Sequence, residues 1–409
     1  MKRFFFMTIA LAAVAVGCTK SGLMESPQTY ETPITFEPYT GKAPVTKATV
    51  VETGDLYDAG FRVIGFEQSC VSTDLEEGND LFDNTDNYLD RKVYVGKTDG
   101  AYNMKDGKPV WTYDIAMYWP ENKYLAFVAY GLNVNSDGDD EDSTIGLDES
   151  TCFVRGADYT TFTYTVSPTV ADQKDLVISP LMVDKNNASG TIAVQLYHVL
   201  SRVGFKVLPL GSAGVNVVIK SVKLKGDFVE GATFDLTKAV TVSGNIVSYE
   251  KTPNSASTAV SYDLFGNGYT KEAESSTNTH GFVATSVAST SASALPIFYN
   301  CDFELGIDYE PGEEEPTSGA SDTDRFMMIM PQTIENAEVE VIYHLTDDVE
   351  RVATIPIGDA TSKEFTFAAG KAYEFVFTIS TTAVGFNVVV NPWDPAAGEN
   401  VETELTPVA

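Results

Sequence analysis

The chain has 409 residues, with 27 basic against 58 acidic side chains and a net charge of −31. A surface this acidic repels phosphate backbones, which excludes nucleic-acid binding by charge neutralisation, and it keeps the protein soluble. Hydrophobic residues make up 43% of the chain, ample for two cores, yet beyond the N-terminus no apolar run is long enough to span a bilayer as a helix.

Lys2 and Arg3 open the chain with positive charge, and Phe4 to Gly17 follows as a largely apolar run. At about 14 residues the run is too short for a stable membrane span and suits the centre of a signal peptide. Ala15-Val16-Gly17-Cys18 is similar to the lipobox of bacterial lipoproteins, with Ala15 where Leu is usual. The similarity implies that residues 1–17 are removed and that the Cys18 thiol is acylated, making outer-membrane lipid a partner. The alternative is an ordinary secretory signal followed by an incidental cysteine. Acyl chains contribute about 0.8 kcal/mol per buried CH₂, so two or three on one cysteine anchor stably. Removing Lys2 and Arg3 leaves 27 − 2 = 25 basic residues, and 25 − 58 gives −33 for the mature chain. Its other cysteines are Cys70, Cys152 and Cys301, an odd number in no CxxC or zinc spacing.

Residues 18–32 are polar and contain Pro27, the composition of a tether. Pro33 to Pro38 is a short strand that puts Ile34 and Phe36 on one face. Lys42 and Lys47 follow in a turn-rich stretch and are the only basic residues between Lys20 and Arg62. Each precedes Ala, so neither bond is shielded by proline. Beyond them the chain is rich in Val, Thr, Tyr and Phe, in short runs divided by Gly, Asn, Asp and Pro, which predicts strands. Phe61–Phe66 alternates as a half-buried strand, and Leu125–Tyr130 is apolar on both faces, as expected of a central strand. Strands continue at 191–197, 215–224, 337–345, 373–379 and 386–390. A helical period shows only briefly, around Tyr197–Val203. Without helical crossovers a parallel α/β sheet is excluded. The expected fold is all-β, two antiparallel β-sandwich domains in tandem. The first spans 33–208 and the second 209–409, with the division near Leu208-Pro209-Leu210-Gly211. Residues 133–150, 275–294 and 308–324 are expected loops. At the end, Val401, Thr403 and Leu405 alternate with Glu402, Glu404 and Thr406. This is the period of a strand that buries one face, or else of a frayed edge.

Catalytic chemistry finds no foothold. His198, His280 and His344 are far apart in the sequence, and no HExxH, GxSxG, P-loop or GxGxxG is present. The acidic runs fall in expected loops rather than on the rigid strands that two catalytic carboxylates need. No enzyme activity and no cofactor are expected. Asn133, Asn135, Asp137, Asp139 and Glu141 alternate around Gly138 like calcium ligands, but Thr144 occupies the position where a bidentate Glu belongs, so no metal is assigned. Trp111 and Trp119 are expected in core packing rather than as sugar platforms.

Four segments in order resemble the fimbrillin family of Bacteroidales, the pilins of the type V pilus. They are Tyr118-Trp119-Pro120 followed by Tyr124 to Tyr130; Asp175-Leu176-Val177 with His198 to Phe205; Met330-Pro331-Gln332; and Ala369 to Tyr373, with Trp393 after them. The resemblance implies two transthyretin-like β-sandwich domains and a structural, non-enzymatic subunit of a cell-surface fimbria, shaft or tip, serving adhesion and biofilm formation. It implies other pilin subunits as partners, and a trypsin-like maturation protease that removes the first strand. The family often has a basic residue between Thr and Ala at that place, which favours cleavage after Lys47 over Lys42. Ile34 and Phe36 would then mark the displaced strand, and Val401, Thr403 and Leu405 the strand donated to the next subunit. The alternative is a monomeric outer-membrane lipoprotein that binds a host or bacterial surface ligand, glycan or protein, through its loops.

Overall fold

The structure is a computed structural model and describes residues 33–40, 57, 60–68, 87–120, 124–132, 153–155, 160–170, 173–179, 182–185, 191–211, 216–236, 241–243, 246–248, 251–253, 260–264, 282–285, 294–297, 326–345, 349–359, 361–381 and 384–392. Within them the chain is all-β, and no helix is long and apolar enough to cross a membrane.

The largest sheet carries, from one edge to the other, Thr35–Thr40, Thr191–His198, Leu176–Ile178, Tyr124–Leu132, Phe61–Gln68, Asn87–Val95 and Trp111–Thr112, with Met182–Lys185 added beside Tyr124–Leu132. The central strand is the one expected: Leu125 to Tyr130 is buried residue by residue. Phe61–Phe66 differs from its half-buried expectation. Arg62 is its one partly exposed position, because the sheet is covered on both faces and Ile64 and Phe66 face a second core. Two ladders among the described residues are parallel. Thr35–Thr40 runs parallel to Thr191–His198, and Ser201–Pro209 runs parallel to Lys371–Ile379.

A second sheet joins Phe153–Arg155, Thr161–Thr165, Gly231–Asp235 and Lys251–Pro253. Phe162 and Phe234, cross-strand partners, stack with ring centroids 4.9 Å apart, and Phe162 also stacks on Tyr130 of the first sheet at 5.9 Å. Two five-stranded sheets complete the core. One is ordered Leu295–Pro296, Ser201–Pro209, Lys371–Ile379, Val384–Pro392, with Phe326–Ile329 also on Ser201–Pro209. The other is ordered Val260–Asp263, Asn216–Gly226, Glu338–His344, Arg351–Pro356, with Phe282–Thr285 also on Asn216–Gly226. The expected division near residue 208 falls at the end of Ser201–Pro209, whose neighbours all come from later in the chain. The Tyr197–Val203 stretch, with its brief helical period, is the end of one strand, a turn at 199–200 and the start of the next.

Between Val95 and Trp111 the chain makes two tight hairpins, Lys97–Thr98 with Ala101–Tyr102 and Met104–Lys105 with Lys108–Pro109. Asp99-Gly100 and Asp106-Gly107 turn them, all four residues at positive φ between 52° and 80°, the backbone that Asp-Gly supplies at low cost.

Among the described residues hydrophobic burial divides into two clusters. The larger contains Ile64, Phe66, Val128, Tyr130, Phe162, Phe205, Phe375 and much of the later chain. The smaller is confined to the opposite face of the first sheet and contains Ile34, Phe36, Trp119, Phe127, Val177 and Ile192 among others.

Candidate functional site

The first strand lies in a groove on the smaller cluster. Ile34 and Phe36 are 0% and 2% exposed, while Pro33 before them and Glu37 after them face solvent and Thr35 between them is half-buried. Phe36 meets the Phe127 ring edge-on at 5.6 Å and Tyr113 at 6.2 Å. Trp119 also meets Phe127 edge-on, at 5.9 Å. The large Phe127 ring reaches across the sheet because residue 65 is glycine: a Cβ there would stand 3.0 Å from the ring and 3.2 Å from Leu89.

One wall of the groove is Thr191–His198, paired in parallel with the first strand from Thr35↔Thr191 to Thr40↔Leu196. The Thr35 and Thr191 hydroxyls are 2.7 Å apart. Pro38 lies inside this ladder without an N–H to give, which a strand tolerates only at a sheet edge. The opposite wall is the segment after Trp111–Thr112, so the two edges of the sheet meet here. The Ile34 N–H donates to the Met117 carbonyl at 2.8 Å, and Pro33 bridges Tyr118. The Tyr113 hydroxyl donates to the Ile34 carbonyl at 2.5 Å. Burial raises the Tyr113 pKa, against the lowering effects of its backbone hydrogen bond to Met117 and of the nearby Arg91 charge.

Behind the groove, Asp175 and His198 form a buried pair, Nδ1 to Oδ2 at 2.7 Å, with side chains 0% and 2% exposed. The two residues belong to segments already notable in the sequence, and the structure joins them where Val177 pairs with His198. The part played by Tyr113 and Met117 was not legible in the sequence, since both use backbone carbonyls that leave no side-chain pattern. Trp119 packs in the core and Trp111 packs partly buried against it. Of the residues expected to act, Ile34 and Phe36 are brought together here. Cys18, Lys42, Lys47, Val401, Thr403 and Leu405 lie outside the described residues, as do Cys70, Cys152, Cys301, the 133–144 run and Trp393. Among the described residues no group of three or more His, Cys, Asp or Glu side chains is placed to hold a metal ion.

A groove filled by an edge strand of its own chain is built for holding peptide backbone. No curated protein matches the sequence. Among solved structures, a fimbrial protein from Bacteroides vulgatus is similar at 17% identity and a TM-score of 0.53, over 88% of this chain and 99% of that one. A fimbrial assembly protein from Parabacteroides distasonis is 12% identical over 88% of this chain and 98% of that one, at a TM-score of 0.39. The first likeness is one of fold. The family pattern described as fimbrillin-like matches residues 72–393, most of the sequence, and the chain belongs to the fimbrillin-like family.

Proposed function

We propose that the protein is a structural subunit, shaft or tip, of a cell-surface fimbria that serves adhesion and biofilm formation. It would be exported as an outer-membrane lipoprotein on Cys18. A trypsin-like protease would cut after Lys47, or after Lys42 as second choice, and free the strand that carries Ile34 and Phe36. The vacated groove would take the Val401–Leu405 segment of another copy, with Val401, Thr403 and Leu405 facing the floor. In this reading the subunits are units of transthyretin-like sandwich type joined through strand exchange.

The observation that carries the reading is the position of the first strand. It is an edge strand with a proline in its ladder, paired in parallel to one neighbour, and Ile34 and Phe36 enter the smaller cluster and not the larger. Burying two such side chains contributes on the order of 3–6 kcal/mol, so an emptied groove is a strong acceptor. Its unpaired backbone groups add to the drive for a new strand. N-terminal sequencing of the protein taken from the cell surface tests this. A mature N-terminus at Ala48, or at Ala43, is expected in the polymer. Retention of acylated Cys18 with residues 33–47 in all material would refute the exchange and favour a monomeric lipoprotein that binds its ligand through loops.

A further inference from the structure

We propose that residues 113–118 form a clasp across the groove, with the Tyr113 hydroxyl as its fastener, and that opening this clasp gates the departure of the first strand. The inference rests on reading that strand as removable.

The first strand has two edges. The Thr191–His198 edge supplies a regular ladder. On the other edge, the described backbone contacts are concentrated at the strand's start, at Pro33 and Ile34. Further along, Glu37 meets Lys108 at 3.5 Å, but with side chains 56% and 75% exposed this pair adds little. Apart from that pair, the hydrogen bonds described at this edge come from Tyr113 and Met117.

Tyr113 ties the two sides together. Its hydroxyl donates to the Ile34 carbonyl at 2.5 Å and lies 3.4 Å from the Met117 carbonyl, and it accepts the Met117 N–H at 3.3 Å. Its ring lies against Phe36. One phenol thus closes the loop 113–117 on itself and fastens that loop to the strand. The clasp is in turn pinned to the sheet. The Tyr88 hydroxyl donates to the Tyr118 carbonyl at 2.6 Å, and Arg91 reaches Asp114 at 3.6 Å and the Met117 sulfur at 3.9 Å. Between its pinned ends the loop stands clear: Ile115 is 59% exposed. Tyr113 and Met117 pack on the smaller cluster, so opening the loop disturbs that cluster and leaves the larger one packed.

The chemistry also explains how one clasp could serve two strands. A phenol that donates to a backbone carbonyl reads an extended chain, not its side chains. It would close over an incoming strand as it closes over the resident one.

The test uses the full chain with Tyr113→Phe and, separately, Tyr88→Phe, in hydrogen exchange followed by mass spectrometry. In the uncut protein, exchange in the peptide covering 33–40 should rise about fivefold to tenfold in Tyr113→Phe, the scale of one net hydrogen bond. Protection of 371–379 should stay unchanged. Tyr88→Phe should raise exchange in both 113–118 and 33–36, and it serves if Tyr113→Phe fails to fold. After nicking with trypsin, the fragment carrying 33–40 should leave the variants faster by the same factor, read by size exclusion. Unchanged exchange at 33–40 in both variants would overturn the clasp. So would an equal loss of protection at 371–379, which would mean a general packing role. Raised exchange with no release of the nicked fragment from any form would instead overturn the removable strand, and the gate with it, while leaving Tyr113 as the fastener of a permanent strand.

Discussion

Phe36→Ala separates the two cores most cleanly. The ring it removes is 2% exposed and packs on Phe127 and Tyr113. A buried Phe→Ala change costs about 3–5 kcal/mol, the lower end where the surroundings can collapse. An edge strand can shift, so about 3 kcal/mol is the reasonable figure. That loss falls on the local equilibrium in which 33–40 lifts from the groove, because Phe36 belongs to the smaller cluster and touches none of the larger one. At 1.4 kcal/mol per factor of ten, opening should become about a hundredfold more frequent. Hydrogen exchange should show this at 33–40, with the strands around Phe162 and Phe375 unaffected. Phe162→Ala is the contrast: its ring stacks on both Tyr130 and Phe234 inside the larger cluster, and it should lower the global denaturation midpoint. If Phe36→Ala lowers that midpoint as far as Phe162→Ala, with no selective loss of protection at 33–40, the two cores are one cooperative unit and the reasoning fails.

Three further outcomes are expected. Deleting residues 400–409 should abolish polymers of the protease-treated protein while leaving each monomer folded, as judged by electron microscopy and size exclusion; normal fibres would remove the tail as donor. Reductant should leave the melting temperature unchanged, since Cys70, Cys152 and Cys301 are widely spaced and odd in number; a large drop would reveal a structural disulfide. Burial lowers the Lys251 ammonium from its ordinary 10.5 to about 8, so the folded state holds its proton less tightly than the unfolded chain and stability should rise with pH between those values. Lys251→Met should therefore stabilise the protein by about 1–3 kcal/mol at pH 7, an advantage that melting curves should show shrinking towards pH 10.5.

Individual strands were legible in the sequence because side-chain pattern reports burial. Leu125–Tyr130 reads as apolar on both faces and is the central strand of the largest sheet. What pattern does not report is the neighbour. Nothing in Pro33–Pro38 says that its partner is Thr191–His198 or that the two run parallel. Nothing in Thr161–Thr165 says that it pairs with Gly231–Asp235, across the boundary the sequence suggested. The half-buried reading of Phe61–Phe66 failed for a related reason. Gly65 carries no side chain to break or support an alternation, yet its emptiness is what lets Phe127 lie across the strand. The clasp was hidden more completely, because its fastener binds backbone carbonyls.

The two-faced sheet gives a physical reason why such a protein could lose a strand and keep its shape. In Tyr124–Leu132, Leu125, Phe127 and Ala129 enter the smaller cluster while Ala126, Val128 and Tyr130 enter the larger. In Phe61–Gln68, Phe61 and Val63 face one way and Ile64 and Phe66 the other; Val177 is likewise flanked by Leu176 and Ile178 on the opposite side. These strands are held from both faces, and emptying the groove strips only one. The wall strand Thr191–His198 is different. Ile192, Val194 and Leu196 enter the smaller cluster, while Thr191 and Ala193 face solvent. Taken alone it should come away with its partner. It is fixed instead at its far end, where Val177 and Ile178 pair with His198 and Tyr197, the Val199 N–H donates to the Leu176 carbonyl at 3.2 Å, and His198 meets Asp175 in full burial. Removing one partner of such a buried pair would leave the other without its hydrogen bond, at a cost of about 1–3 kcal/mol. The Asp175–His198 pair thus anchors the wall strand at its far end, and in the proposed exchange it would keep that wall standing while the proposed clasp opens.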